Sequence, residues 1–179
     1  MSSPERIKDF VLLARKGDKQ AFSQLVDIYS SHLYGYFYRL TCNRDEANEL
    51  LSELFLKMVE KIGSCRPETF EAWLFRIASN LFTDCLRSKK RNQKMLLRIE
   101  EQVQSETQIP QKDNLLTDKL ARQLRKLEPE TAEIIVMRYY SQLSFEELAQ
   151  MRNEPIGTVL SKVHRGLKKL RQLMEDSDD

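Results

Sequence analysis

A predicted helix near the C-terminus, within NEPIGTVLSKVHRGLKKLR, carries hydrogen-bond donors and cations along one side. At about 100° per residue, one arc of it holds Thr158, Ser161, Lys162, Arg165 and Lys169. Short hydroxyl groups reach base edges with little bulk, and Lys and Arg bind phosphates. These residue types therefore suit the major groove of duplex DNA. An amphipathic helix with a basic, solvent-exposed side fits the periodicity equally well.

The segment before this helix favours DNA binding. Ser144 and Glu147 have the spacing of a capping box, in which each side chain bonds a free backbone amide at a helix start. Asn153 tolerates the left-handed conformation of a turn, and Pro155 suits the first turn of the next helix. The stretch is therefore predicted to be a helix-turn-helix. The other arc of its second helix is apolar and predicts the buried side: Ile156, Val159, Val163, Leu167, Leu170 and Met174.

A second candidate site lies on the predicted helix TFEAWLFRIASNLFTDCLRSKKR. One side of it is apolar, and another mixes an aromatic ring, an amide and cations at Trp73, Arg76, Asn80, Asp84 and Arg87. Such a surface can stack on an unpaired base and form hydrogen bonds with its edge. The preceding loop, residues 63–68, could form one side of a pocket for that base. The alternative is a partly buried tryptophan with incidental polar neighbours, which composition favours for Trp73.

The helix ANELLSELFLKMVEKI combines an apolar stripe with an acidic side. Glu46, Glu49, Ser52, Glu53 and Glu60 lie on that side. Because carboxylates repel phosphate, we expect this surface to bind a protein rather than nucleic acid. An ordinary solvated helix side is an equally good interpretation of the pattern.

The elements that hold these sites are all predicted to be helical. Hydrophobic periodicity gives helices almost throughout, whereas EQVQSETQIPQKDN is polar and interrupted by a proline. The predicted fold is all-α, with two small helical domains, residues 1–98 and 114–179, joined by a flexible linker, residues 99–113. Basic clusters in the helical segments before and after this linker suggest two contacts with a polyanion.

Composition excludes several classes of protein. Of the 179 residues, 31% are charged, and no apolar run approaches the ~20 residues that span a bilayer. The start, MSSPERIKDF, has no secretory apolar core, so we expect a cytoplasmic protein without stable membrane insertion. The three cysteines form no CxxC pair, and the sequence shows no catalytic triad and no set of metal ligands. We therefore expect no enzyme activity, metal or cofactor.

Five segments together resemble the bacterial RNA polymerase sigma factors of the sigma-70 family, in their compact two-domain form, the extracytoplasmic-function (ECF) group. The resemblance covers nearly the whole chain. It rests on the order and spacing of LLARKGDKQAFSQLVDIY, ANELLSELFL, FEAWLFRIASNLFTDCLRSKKR, LEPETAEIIVMRYYSQLSFEELAQ and PIGTVLSKVHRGLKKLR.

The resemblance implies a promoter-specificity subunit that binds core RNA polymerase, recognises the −35 and −10 promoter elements and assists melting. It implies a surface for the single-stranded −10 element at Cys65, Arg66, Trp73, Arg76, Asn80, Asp84, Arg87, Lys90 and Arg91. It implies duplex −35 contacts at Thr158, Leu160, Ser161, Lys162, His164, Arg165 and Lys168. It implies polymerase contacts at Glu49, Ser52, Glu53 and Phe55, and an anti-sigma factor as a further partner.

The chain departs from the family pattern at recognition positions. Ser52 stands where the family usually has Gln, Asn153 where it has Gly, and Leu160 where it has Lys or Arg, and the −10 loop is a residue short. Leu160 lies between the two arcs of its helix, where it extends the core or contacts a thymine methyl group. We therefore expect an altered promoter preference rather than a loss of function.

Two other functions are compatible with parts of the sequence. A stand-alone helix-turn-helix regulator that binds DNA as a dimer leaves the Trp73 helix and the acidic helix unexplained. A helical adaptor that binds only protein leaves both basic clusters unexplained.

Overall fold

The structure, a computed structural model, describes the backbone of residues 4–99 and 115–176. Every secondary-structure element in those ranges is helical, which confirms the all-α prediction. No helix in these ranges is long and apolar enough to cross a membrane. The predicted linker lies, apart from Ile99, outside the described residues. The helices are α1 (Pro4–Arg15), α2 (Lys19–Thr41), α3 (Arg44–Lys61), α4 (Phe70–Ile99), α5 (Leu115–Leu124), α6 (Pro129–Tyr139), α7 (Phe145–Arg152) and α8 (Ile156–Glu175).

Local side-chain chemistry sets the helix starts in the N-terminal half. Gly17 follows α1 with a φ of 90°, a left-handed conformation that stops the helix from continuing. The Asp18 carboxylate caps α2 by accepting hydrogen bonds from the amides of Gln20 and Ala21 at 2.8 and 2.9 Å. Asn43 caps α3 in the same way. Short 3₁₀ turns, Ile62–Ser64 and Pro67–Thr69, form the connection between α3 and α4.

Helices α1 to α4 pack around an aromatic core. The rings of Tyr36, Phe37 and Phe75 are fully buried or nearly so and meet edge to face, with centroids 5.2 to 5.5 Å apart. The apolar stripes of α3 and α4 also contribute to this core, together with Val11 and Ala14 of α1. Edge-to-face pairs of this kind stabilise the core beyond the apolar area that they bury.

Helices α5 to α8 form the C-terminal body, in which α6 is the central element and α7 and α8 pack on it. Gly166 of α8 allows a close approach to α6, because a Cβ there would lie 2.4 Å from Thr131 and 2.8 Å from Ile135. Both helices of the helix-turn-helix, α7 and α8, therefore pack on α6.

The two bodies are in contact, a feature that the sequence did not predict. Helix α2 packs against α5 and α6, and α4 packs against α7. This explains why α2 buries side chains on more than one side, including four consecutive positions, residues 35–38. A helix buried on two sides joins the cores of both bodies.

Candidate nucleic-acid interface

The helix-turn-helix has the predicted local chemistry. The Ser144 hydroxyl accepts a bond from the Glu147 amide at 3.1 Å, and the Glu147 carboxylate accepts one from the Ser144 amide at 2.8 Å. Asn153 adopts the left-handed conformation, with φ 53° and ψ 43°. Pro155 immediately precedes α8 rather than opening its first turn, and it fixes the backbone that enters the helix.

One side of α8 is buried, with one correction to the predicted set. Val159, Val163 and Leu170 are buried, and Leu167 and Met174 are half-buried. Ile156, however, is 41% exposed, so its predicted burial is wrong. The reason is that the first turn of α8 stands clear of the domain: residues 156–158 are all exposed, and a Cβ at Gly157 would meet nothing within 4 Å.

The predicted −35 residues form an exposed row along α8. Four of them line one shallow concave surface: Leu160, Ser161, His164 and Arg165. Thr158 and Lys168 are exposed on either side of it. Leu160 is 44% exposed, and with Ile156 one turn earlier it makes an apolar ridge beside the polar row. The structure thus brings together hydroxyl, imidazole, guanidinium and methyl groups, the set that base edges in a major groove can bind.

Lys162 is the exception among these residues, because carboxylates of its own domain hold it. Its ammonium group lies 2.8 Å from Glu154 and 3.3 Å from Glu130, and the side chain is 24% exposed. The bond with Glu154, more than any other interaction, raises the pKa of Lys162. Its charge is therefore partly neutralised before any phosphate arrives.

A partly buried arginine that sequence reasoning missed organises the turn. Arg152, at the end of α7, is 12% exposed and binds Glu133 at 3.0 Å and Glu130 at 3.4 Å. Burial is the largest single influence and lowers the pKa of Arg152, but Glu133, Glu130 and Glu154 together outweigh it, so the pKa is raised. A charge so largely removed from solvent needs paired partners. Its only sequence signal was a cation next to the predicted turn.

The −10 residues predicted on α4 lie on its solvent side. Those that are exposed are Arg76, Asn80, Asp84, Arg87, Lys90 and Arg91. Asp84 and Arg87 form a surface ion pair at 3.3 Å. Trp73 is half-buried and its ring lies 5.8 Å from that of Phe70, so the tryptophan is partly core and partly surface.

The loop before α4 divides its two predicted residues between surface and core. Arg66 is exposed, whereas Cys65 is 1% exposed and its thiol donates to the Arg66 carbonyl at 3.4 Å. Burial raises the pKa of the Cys65 thiol to about 11. Cys65 therefore has almost no surface for a base, and its contact with the backbone supports the loop that carries Arg66.

Comparison with known proteins decides what these surfaces belong to. Sigma-70 region 2 matches residues 25–92, and Sigma-70 region 4 matches residues 117–170. The ECF RNA polymerase sigma factor SigW of Bacillus subtilis is 31% identical over 95% of this chain and 97% of its own length. The chain belongs to the ECF group of the sigma-70 family. It is a promoter-recognition subunit of RNA polymerase, within a family of transcription initiation factors.

Other relatives and solved structures agree with this assignment. The ECF sigma factor SigE of Mycolicibacterium smegmatis is 32% identical over 88% of this chain and 64% of its own length. The sigma factor RpoE, solved with the anti-sigma factor NepR from Bartonella quintana, matches with a TM-score of 0.71 and 25% identity, over 86% of this chain and 96% of that one. CnrH, solved with the cytosolic domain of CnrY, shares the fold at a TM-score of 0.72 and 22% identity, over 97% and 99% of the two chains.

Helix α3 of this sigma factor presents a mixed acidic and apolar surface. The predicted polymerase contacts Glu49, Ser52 and Glu53 are exposed, and Phe55 is half-buried. The Ser52 hydroxyl donates to the carbonyl of Asn48 at 2.9 Å, within its own helix. A Gln at that position, as in the family pattern, would extend further from the helix.

Sequence reasoning missed two residues on the same helix. Leu56 is 66% exposed and Val59 is 56% exposed, although both are large apolar side chains. Exposed apolar residues beside carboxylates are typical of a protein-binding surface rather than a DNA-binding one. The available signal was the helical period itself: the buried stripe continues through Leu54, Met58 and Ile62, which places Leu56 and Val59 outside it.

Proposed function

We propose that this sigma factor reads the duplex −35 element with α8 and captures the unpaired −10 strand with α4. The single observation that carries the proposal is the exposed row on α8, held on a capped helix-turn-helix. Its concave surface, lined by Ser161, His164 and Arg165, has donors for base edges. Lys168 beside it would bind phosphate and fix the register.

The apolar ridge of α8, Ile156 and Leu160, indicates which bases α8 would prefer in the −35 element. Ile156 and Leu160 are one helical turn apart and 41% and 44% exposed. In the major groove, the C5 methyl group of thymine is the apolar feature that such side chains can cover. A cation at the position of Leu160 would favour guanine or phosphate instead. We therefore expect thymine methyl groups in the −35 element that this chain prefers.

The solvent side of α4 suits a melted strand. Arg76 and Asn80 offer donors to a base edge, while Arg87, Lys90 and Arg91 continue along the same helix toward the backbone of the strand. The exposed part of the Trp73 ring offers a stacking surface at the start of this row. Arg66 on the preceding loop would complete the surface, with Cys65 as its buried support.

The proposed polymerase surface is the exposed side of α3. Glu49 and Glu53 supply charge, and Leu56, 66% exposed, supplies apolar area between the turns. A basic and apolar site on core polymerase would complement this surface. The protein would act in the cytoplasm, where it finds polymerase, and would contribute recognition rather than catalysis.

We also propose that an anti-sigma factor controls the chain. The support is similarity to RpoE, which was solved in complex with the anti-sigma factor NepR. An inhibitor that blocks these activities would cover α3, α4 or α8, because those helices carry the proposed polymerase and DNA surfaces.

Run-off transcription with purified core polymerase, this protein and a pool of genomic fragments tests the proposed function. We expect specific initiation only when polymerase and the protein are both present. Arg165→Ala should lower it, and Gln172→Ala, an exposed position elsewhere on α8, is the matched control. Tight protection of a palindromic duplex without polymerase would refute the proposal in favour of a dimeric regulator.

A further inference from the structure

Four ion pairs form a closed ring around the turn of the helix-turn-helix. Arg152 of α7 lies 3.4 Å from Glu130 of α6 and 3.7 Å from Glu154 in the turn. Lys162 of α8 closes the ring, at 3.3 Å from Glu130 and 2.8 Å from Glu154. Each of the four pairs joins two different elements. These residues, the turn ring, therefore tie α6, α7 and the turn to α8.

The turn ring is more shielded from solvent than an ordinary surface ion pair. The side chains of Arg152, Glu154 and Lys162 are at most 24% exposed, whereas Glu130 is 58% exposed. Glu133, which is buried, anchors Arg152 through a further bond of 3.0 Å. Isolated exposed pairs contribute little, but several charges in one network can hold a fixed geometry. The turn ring has that arrangement.

The first turn of α8 has no buried side chain to anchor it. Residues 156–158 are exposed, and the first buried position of the helix is Val159. Pro155 precedes the helix without a side-chain capping bond. Burial of apolar side chains is non-directional, so it stabilises the contact of α8 with α6 without fixing the tilt of the helix. The turn ring can supply that restraint, because Glu154 lies before the first turn and Lys162 lies after it.

The tilt of α8 matters most for contacts with base edges. Ser161 and Arg165 of the proposed −35 row follow this first turn directly. Hydrogen bonds to base edges require donor–acceptor distances of about 2.7–3.2 Å, so a small change of tilt breaks them. A phosphate contact from a long, flexible side chain such as Lys168 tolerates the same change. A loosened α8 would therefore lose discrimination between bases while it keeps much of its affinity for any duplex.

We infer that Glu130, Arg152, Glu154 and Lys162 are positioning residues that set the orientation of α8 and so determine how strictly it selects bases in the −35 element. The inference rests on the proposed function, because α8 must read that element for its orientation to affect selectivity. In this role Lys162 acts through the two carboxylates that hold it, and not by binding a phosphate.

The double variant Glu130→Gln/Glu154→Gln opens the turn ring in the full-length chain. It replaces both carboxylates that bind Lys162 with neutral side chains of nearly the same size. Glu133 stays bound to Arg152, so the partly buried guanidinium keeps a charged partner and the fold should be retained. The variant therefore removes the ring without leaving an unpaired charge in the core.

The matched control is Glu128→Gln/Glu146→Gln, which removes the same number of charges at exposed positions before α6 and on α7. The main readout is a selectivity ratio for the complex of core polymerase with each protein. It compares the affinity for the promoter that wild type prefers with the affinity for the same promoter changed at one −35 base pair. A second readout is amide hydrogen exchange of residues 156–161 in the free protein.

We expect the double variant to lower the selectivity ratio at least about threefold and to exchange these amides faster, and the control to do neither. A ring that only stabilises the fold would lower the unfolding temperature and weaken binding to both promoters by the same factor. That result, or unchanged hydrogen exchange, would overturn the inference and leave the proposed function intact. If wild type itself shows no base preference in the −35 element, the proposed function fails and the positioning role fails with it.

Discussion

The hydroxyl group of Tyr36 donates a 2.9 Å hydrogen bond to Oε1 of Glu133, 97 residues later in the chain. Tyr36 is fully buried and Glu133 is 3% exposed. The other oxygen of Glu133 accepts a 3.0 Å bond from Arg152, at the turn of the helix-turn-helix. One buried carboxylate thus joins the two bodies and also binds the arginine at the turn between α7 and α8.

Replacing Tyr36 with phenylalanine should destabilise the chain. The ring remains in the aromatic core, but Oε1 of Glu133 loses its donor and stays buried. Leaving such an acceptor unpaired costs about 1–3 kcal/mol, which urea unfolding followed by fluorescence of Trp73 would measure as a lower free energy of unfolding. Tyr34→Phe is the matched control, because the Tyr34 ring stacks on Tyr38 and takes no part in the bond. An equal effect of both variants would contradict the assignment.

Alkaline pH should weaken the contact between the bodies. Burial, more than the neighbouring carboxylate, raises the pKa of Tyr36 well above the ordinary 10.0, and burial with the bond to Asp118 raises the pKa of Tyr38 to about 12. The folded chain therefore keeps both hydroxyls protonated at pH values where the unfolded chain ionises them. The stability they contribute is complete below pH 10 and is lost as pH rises through the folded-state pKa.

Denaturation midpoints measured between about pH 9 and 12 would check this sign. Wild type should lose stability more steeply over that range than Tyr38→Phe, which has no hydroxyl to ionise there. Tyr29, whose pKa burial also raises, acts equally in both proteins and cancels in the difference. Parallel curves for the two proteins would mean that Tyr38 carries no pH-dependent stability.

The features that sequence predicts well are local. The capping box of Ser144 and Glu147, the cap at Asp18 and the left-handed Asn153 depend on neighbours within a few residues, so residue type and spacing suffice. The apolar stripe of α3 is predicted for the same reason. Periodicity then places the −35 row on the solvent side of α8, because a helix that buries Val159 and Val163 must expose Ser161 and Arg165.

The features that sequence does not predict depend on where a helix ends relative to its neighbours and on what it packs against. Ile156 has the period of a buried residue but lies in a turn that overhangs the domain. The Tyr140 ring, from the C-terminal body, lies so close to Gly35 that a Cβ there would meet it at 2.0 Å, and no local pattern encodes that pairing. The aromatic richness of α2 was the available signal, since it exceeds what one packed side of a helix needs.

The apolar ridge of α8 should make the chain sensitive to thymine methyl groups. Burial of one methyl group stabilises a complex by about 0.8 kcal/mol, or roughly fourfold in affinity. Substituting deoxyuridine for thymine in the −35 element should therefore weaken binding about fourfold at each contacted base. Leu160→Ala should reduce this sensitivity, whereas Gln172→Ala should leave it unchanged. If Leu160→Ala loses as much affinity as wild type when deoxyuridine replaces thymine, then either Ile156 makes the contact or the ridge does not contact the methyl group.

Arg165 should contribute sequence selectivity. Its exposed guanidinium group lies beside Ser161 on the concave surface of α8. If it reads a base, Arg165→Ala should cost about 1–3 kcal/mol at the preferred promoter and much less at promoters altered at the contacted base pair. Competition between promoter variants in run-off transcription measures the difference. A uniform loss across all promoters would instead make Arg165 a phosphate contact.

Lys162 and Lys168 should differ in how they respond to salt, although both are cations of α8. Lys168 is exposed, so binding a phosphate releases a counterion, and Lys168→Ala should reduce the slope of log affinity against log salt by about 1. Lys162 is already bound to Glu154 and Glu130. Lys162→Ala should therefore leave the slope nearly unchanged and instead lower the free energy of unfolding by up to about 1 kcal/mol. Equal reductions in slope would mean that phosphate displaces both carboxylates from Lys162.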